Sequence, residues 1–203
     1  MRAKPPLVLP GQRIGLLGGS FNPPHAAHKL ITDIALTRLQ LDAVWWIVTP
    51  GNPLKSHNDL APLGERIAMC EAITEKNPNI KITAFEKDLP SAYTAATIAF
   101  LKLRFADVRF VWLMGADNLA SFHRWEQWRS IAAMMPIAVV DRPNWRLPAV
   151  SGHAARVLQR FYVGEACAAT LAQTEPPAWT FLTGPLSDLS STAIRAARRK
   201  VAD

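Results

Sequence analysis

Two histidines three residues apart stand at the end of the run Gly18-Gly-Ser-Phe-Asn-Pro-Pro-His-Ala-Ala-His28. Glycines let backbone approach a bound group closely, and the exposed N–H groups of a helix N-terminus favour anions. If a helix begins just after the prolines, His25 and His28 lie on one side of its first turn, where both imidazoles can face one anion. The run is neither a GxGxxG fingerprint nor a Walker loop, because no Gly-Lys-Ser/Thr follows, so a dinucleotide-binding dehydrogenase and a P-loop kinase both lose support. Two plainer readings stay open. The glycines and prolines can be a rigid turn carrying ordinary surface histidines, or the pair can begin a zinc site, which would need His57 and His123 to converge with it.

Other candidates are scattered. Lys55 and His57 follow an apolar run, Asp117 follows another, and the C-terminus carries Arg195, Arg198, Arg199 and Lys200. These last contribute much of a formal charge of +7, which suits an anionic partner without choosing among nucleotide, nucleic acid and membrane surface. A solvated helix face explains the basic tail equally well. Cys70 and Cys167 form no CxxC pair, which fits a reducing compartment and suggests neither a disulfide framework nor a zinc ribbon. The opening MRAKPPLVLPGQR holds too short an apolar stretch for a signal-peptide core, and the longest apolar run, Ile131 to Val140, is interrupted by Pro136. A soluble, cytoplasmic protein is expected.

Elements that could gather such residues are legible in the apolar pattern. Ile14-Gly-Leu-Leu17 reads as a buried strand stopped at Gly18-Gly19, followed by a helix from Ala27 to Leu41 and a strand from Ala43 to Val48. A helix at Leu63 to Lys76, a strand at Ile80 to Ala84, a helix at Thr94 to Arg104 and a strand at Val108 to Met114 continue the rhythm. A helical stretch near Trp125 to Met135, a strand at Ile137 to Val140, an undetermined region through Thr174, a strand at Trp179 to Leu182 and a helix from Ser191 complete it. With 203 residues, 49% of them hydrophobic and 19% charged, the chain is expected to form one domain over 1–203, with 1–12 a flexible extension. Alternating strands and helices imply an α/β fold, a Rossmann-like doubly wound parallel sheet with its site outside the strands' C-terminal ends. Gly18 to His25, Lys55 and Asp117 would then share one crevice.

These residues resemble a known family, the nicotinate-nucleotide adenylyltransferases within the HxGH group of nucleotidyltransferases, over nearly the whole chain. The family signature GGSFDPPHxGH is matched by Gly18 to His28, with Asn22 in place of Asp and Ala27 in place of Gly; ISSTxIR is matched by Leu189-Ser-Ser-Thr-Ala-Ile-Arg195. Tyr93-Thr-Ala-Ala-Thr-Ile98 is similar to a YTxDT segment, with Ala96 in place of Asp. Asn22 keeps a short polar side chain and loses a charge, which matters little to a turn former and would remove a metal-binding carboxylate.

The resemblance implies a nucleotidylyltransferase-type sheet and adenylyl transfer from MgATP to nicotinate mononucleotide in NAD biosynthesis, with Mg2+ held by phosphates and water. It implies His25, His28 and Arg195 as catalytic groups, and Gly18, Gly19, Ser20, Phe21, Asp117, Ser191, Thr192 and Arg195 around ATP. Asn22, Lys55, Thr94, Thr97, Trp125 and Arg142 would serve the mononucleotide, Trp125 by stacking on the pyridine, while Trp128 is the candidate core residue. No protein-held metal, nucleic acid or membrane is expected, and a homo-oligomer is left open. A sibling using nicotinamide mononucleotide or phosphopantetheine, or a nucleotide-sensing module without turnover, are the alternatives.

Overall fold

The computed structural model describes residues 4–51, 60–75, 77–91 and 93–202, with side chains as far as residue 196. Six parallel strands form one sheet: β1 (Arg13–Gly19), β2 (Ala43–Val48), β3 (Ile80–Thr83), β4 (Arg109–Gly115), β5 (Ile137–Val140) and β6 (Trp179–Leu182), in the spatial order β3-β2-β1-β4-β5-β6. The chain winds outward from β1 to β3, then returns to lay β4 beside β1, pairing Leu16 with Trp112 and Leu17 with Leu113. The order therefore reverses between β1 and β4, and the crevice beyond their C-terminal ends is the place where such sheets bind ligands.

Helices cover both faces, which is why the strands read as nearly unbroken apolar runs. Successive side chains point to opposite faces, so Leu16, Trp45 and Trp112 enter one core and Leu17, Trp46 and Leu113 the other. The first core receives Ile98 and Leu101 from α3 (Thr94–Arg104), Leu119 from α4 (Ala116–Ser121) and Ile131 from α5 (Trp128–Met134). The second receives Ile31 and Ala35 from α1 (Ala26–Arg38) and Cys70 from α2 (Leu63–Thr74). A final helix, α8, spans Ser191–Ala202. Among the described residues no helix is long and apolar enough to cross a membrane.

Several expected boundaries move. Helix α1 stops at Arg38, and Gln40 follows at φ 51; α2 stops at Thr74, where Glu75 takes φ 52, a left-handed conformation that ends a helix. The helical stretch expected from Trp125 begins only at Trp128, because Trp125 is extended and Gln127 sits at φ 53. Helix α4 begins directly at the end of β4, where no helix was expected. The undetermined region resolves into two one-turn helices, α6 (Arg146–Val150) and α7 (His153–Val157), and 3-10 turns at Gln159–Phe161 and Glu165–Gln173. Residues 4–12 have no regular structure, yet the Gly11 N–H reaches the Asp107 carbonyl at 2.7 Å, so the extension's end is tied to the turn before β4.

Candidate active site

The loop leaving β1 is shaped by what lies around it. A Cβ on Gly18 would stand 2.8 Å from the ring of Trp112, so only glycine lets the exposed strand end pass. Phe21 then adopts φ 47, unusual for a residue with a side chain, and its 1% exposed ring stacks on Trp46 at 4.9 Å and 11°. Because that ring is buried, any ligand contact by Phe21 falls to its backbone. Asn22 is also buried, and its Oδ1 accepts the Ala61 N–H at 3.2 Å, as expected of a polar turn former. Ala27 is 3% exposed, so its extra methyl faces protein and leaves the crevice unobstructed.

His25 caps α1 in an extended conformation, and His28 follows three residues later with its ring 3.8 Å from the His25 ring. The His25 backbone N–H donates to His28 Nδ1 at 3.2 Å. That nitrogen is therefore an acceptor, and in the neutral ring the proton belongs on Nε2. Phe21 packs on the other side of His28 at 4.8 Å, and Thr32 links the His28 carbonyl (2.9 Å) to the Trp46 indole N–H (2.8 Å). Burial first, and then Arg142, lower the His25 pKa to about 4, against a smaller upward pull from Asp117. Burial, then His25 and Arg142, lower that of His28 to about 3. Both rings are thus neutral at pH 7 before any anion arrives.

Across the crevice, β4 ends at Gly115 and Asp117 enters the first turn of α4. A Cβ on Gly115 would meet Asp117 Oδ1 at 2.5 Å, so the carboxylate folds over the glycine. Arg142, just after β5, places Nη1 3.4 Å from Asp117 Oδ2 and donates from Nη2 to the Leu189 carbonyl at 2.5 Å. Arg142, expected to serve the mononucleotide, thus lies beside Asp117 and the approach to α8.

The two signatures, at opposite ends of the chain, meet. Ser190 Oγ accepts the Ala193 N–H at 3.2 Å and so opens α8. Ser191 Oγ donates to the Pro23 carbonyl at 2.8 Å, and Arg195 Nη1 donates to the Asn22 carbonyl at 2.6 Å. Thr192 is exposed on the same turn.

A more aromatic region flanks this cluster. Trp125 is half-buried, edge-on to Trp112 (6.5 Å, 87°) and to Phe122 (5.4 Å, 75°), while Trp128 is buried. Thr94, half-buried, is the first residue of α3. Thr97 is 0% exposed and donates to Glu86 Oε1 at 2.6 Å, so its side chain faces protein. Lys55 and His57 lie outside the described residues.

Two residues escaped the sequence reading. Glu86 is buried against Thr97, and burial raises its pKa despite hydrogen bonds to Thr97 and Thr49. Arg66, in the first turn of α2, is buried among backbone carbonyls. Its signal was present, since Arg66, Cys70 and Ile73 share one helical face and a charge on an apolar stripe asks for an explanation. Nothing in the sequence around Glu86 gave such a signal. Among the described residues no three His, Cys, Asp or Glu groups gather as a metal site, and His123 packs its ring on His153 at 5.5 Å.

Residues 16–197 match the family described as cytidylyltransferase-like. Among curated relatives, the chain is 58% identical to a protein of Rhizobium meliloti described as a probable nicotinate-nucleotide adenylyltransferase, over 91% of this chain and 98% of that one. It is 54% identical to its counterpart in Agrobacterium fabrum, over 90% and 97% of the two chains. Among solved structures, the Plasmodium falciparum nicotinic acid mononucleotide adenylyltransferase complexed with NaAD superposes with a TM-score of 0.69. It covers 91% of this chain and 83% of that one at 16% identity, a likeness of fold.

Proposed function

The chain belongs to the nicotinate-nucleotide adenylyltransferases of the cytidylyltransferase-like family, and from that premise we propose how its site carries out the family's reaction. The reaction is adenylyl transfer from ATP to nicotinate mononucleotide, giving nicotinate adenine dinucleotide for NAD biosynthesis. A phosphate oxygen of the mononucleotide bonds to the α-phosphorus of ATP, and the bond from that phosphorus to the β-phosphate oxygen breaks, the electron pair leaving with pyrophosphate. The nucleophile is already an anion, so no general base is needed. What remains is to hold two repelling anions in line and to meet the charge that grows on the leaving group.

The meeting of the signatures carries the assignment of roles. Arg195 spends one of its five donors on the Asn22 carbonyl, which aims the rest of its fork at the mouth of the first loop. Arg195, with Ser191 and Thr192, binds the β- and γ-phosphates. His28 donates from Nε2, the nitrogen left to it by the His25 N–H, and His25 donates beside it. Gly18, Gly19, Ser20 and the Phe21 backbone line the polyphosphate, and Asp117 takes the ribose. Arg142, held by Asp117, belongs to this ATP-facing group. Trp125, Thr94, Asn22 and Lys55 serve the mononucleotide, Trp125 by stacking.

Members of the family are ATP-using nucleotidyltransferases that work with a divalent metal; here Mg2+ fits best as an ion carried on the ATP phosphates, since among the described residues no acidic cluster stands ready to cage it. There it would offset phosphate charge. The two unpaired cysteines suit a reducing compartment such as the cytoplasm.

Purified protein given MgATP and nicotinate mononucleotide should release pyrophosphate and form the acid dinucleotide. Faster turnover of nicotinamide mononucleotide or phosphopantetheine would assign a sibling substrate. Binding of ATP without turnover of any acceptor would make the protein a sensor.

A further inference from the structure

Arg66 is 1% exposed, and among the described residues no ion pair holds it. Its guanidinium donates to backbone carbonyls: Nε to Ala61 at 2.8 Å, Nη1 to Ser20 at 2.7 Å and to Thr49 at 2.8 Å, and Nη2 to Pro50 at 3.4 Å. Those carbonyls come from the loop after β1, the end of β2 and the entry to α2. Ala61 is held from its other side as well, by Asn22 Oδ1. Burying a charge is costly unless its donors are met, so a guanidinium kept here in place of an apolar residue has a geometric use.

We infer that Arg66 is a positioning residue for adenylyl transfer, which fixes the Ser20–Phe21 peptide so that its N–H faces the ATP phosphates. In a planar trans peptide the carbonyl and the N–H point in opposite directions, so drawing the Ser20 carbonyl inward to Nη1 turns the Phe21 N–H outward. The next residue sits at φ 47, a conformation that a phenylalanine does not favour and that must be held from outside. Arg66 holds it from one end and the stack of Phe21 on Trp46 from the other. Lysine cannot replace the fork: a single ammonium cannot reach carbonyls spread around a plane.

The inference rests on reading the first loop as the ATP-phosphate loop, and the test separates the two. Arg66→Lys and Arg66→Ala are measured for kcat, for KM of ATP and of nicotinate mononucleotide, and for Tm, with methylguanidine added back to Arg66→Ala. We expect kcat/KM for ATP to fall at least tenfold in both, KM for the mononucleotide to stay within about twofold, and methylguanidine to restore ATP use in Arg66→Ala without raising its Tm in proportion. Wild-type ATP parameters in a folded Arg66→Lys would overturn the inference. So would equal losses on both substrates that track Tm, with no rescue. If Arg66→Ala does not fold, the Arg66→Lys split between substrates decides alone. Should His28→Ala also leave ATP use unchanged, the phosphate reading of the loop fails; if His28→Ala is damaged while Arg66→Lys is not, only the role of Arg66 fails.

Discussion

The end of this crevice that we assign to the polyphosphate and the end that we assign to the pyridine are built by different means. At the first, side chains are bound to backbone far away in sequence: Arg195 to Asn22, Ser191 to Pro23, Arg142 to Leu189. At the second, Trp125 rests edge-on against Trp112 and Phe122, with part of its surface left to solvent. Hydrogen bonds fix direction within a few tenths of an ångström, which in-line displacement at phosphorus demands. Aromatic contact fixes a plane and tolerates sliding, which is enough to seat a ring. Disturbing the first end should therefore cost rate, and disturbing the second should cost affinity.

The largest effect should come from His28. With its Nε2–H aimed in advance by the His25 backbone N–H, the role proposed for it is to meet charge that grows in the transition state. His28→Ala should lower kcat on the order of a hundredfold, as for other preorganised donors, with a much smaller change in KM for ATP. Steady-state kinetics on folded variant decide it, and an unchanged kcat would remove His28 from the catalytic group. Arg195→Ala follows, with kcat/KM for ATP reduced roughly ten- to hundredfold, the span expected for losing a hydrogen bond to a charged group. Arg195→Lys should recover only part, because a point charge cannot both hold Asn22 and fork onto phosphate. Full activity in Arg195→Lys would show that charge alone suffices.

The histidine pair also predicts how stability depends on pH. Their folded pKa values, about 4 and about 3, lie below the ordinary value of 6.5, so between those limits the unfolded chain binds more protons than the folded one. Stability is then full above about pH 6.5 and is lost as pH falls, at up to about 1.4 kcal/mol per pH unit for a fully shielded ring. His28 is only half-buried, so solvent reduces its share. Tm measured from pH 7.5 to pH 5 should fall less steeply in His28→Gln than in wild type. Parallel curves would mean that His28 is not held neutral by the fold.

What the sequence disclosed follows the same division. Strands buried on both faces must be apolar throughout, and β2, Ala43–Val48, is apolar at every position. The first loop was legible because glycine, proline and histidine each answer a local demand. The contacts of Arg142 with Asp117 and the Leu189 carbonyl were not legible, because strand order sets them and residue types near position 142 do not encode it. The bond from Thr97 to Glu86 was not legible either, because nothing at position 97 announces Glu86 on another element. The region 145–178 is made of one-turn helices and 3-10 turns, too short to establish a period.

The smallest effect tests the pyridine end. Trp125 and Trp128, three apart, suggested one helix with the first ring on the ligand and the second in the core; Trp128 is buried and Trp125 half-buried, but no single helix carries both. Gln127 at φ 53 breaks the chain between them, so Trp128 turns into the core from α5 while Trp125 stays on the extended segment before it. Removing Trp125, half-buried at the edge of the first core, should therefore disturb the core less than removing Trp128. Stacked aromatic pairs contribute about 0.5–1.5 kcal/mol beyond area burial, so Trp125→Ala should raise KM for nicotinate mononucleotide roughly three- to tenfold. KM for ATP should change little, Tm should fall less than in Trp128→Ala, and Trp125→Phe should recover most of the loss, since a smaller ring still offers a face. A rise in KM for ATP as large as that for the mononucleotide would erase the distinction between the two ends and place Trp125 in a support shared by both.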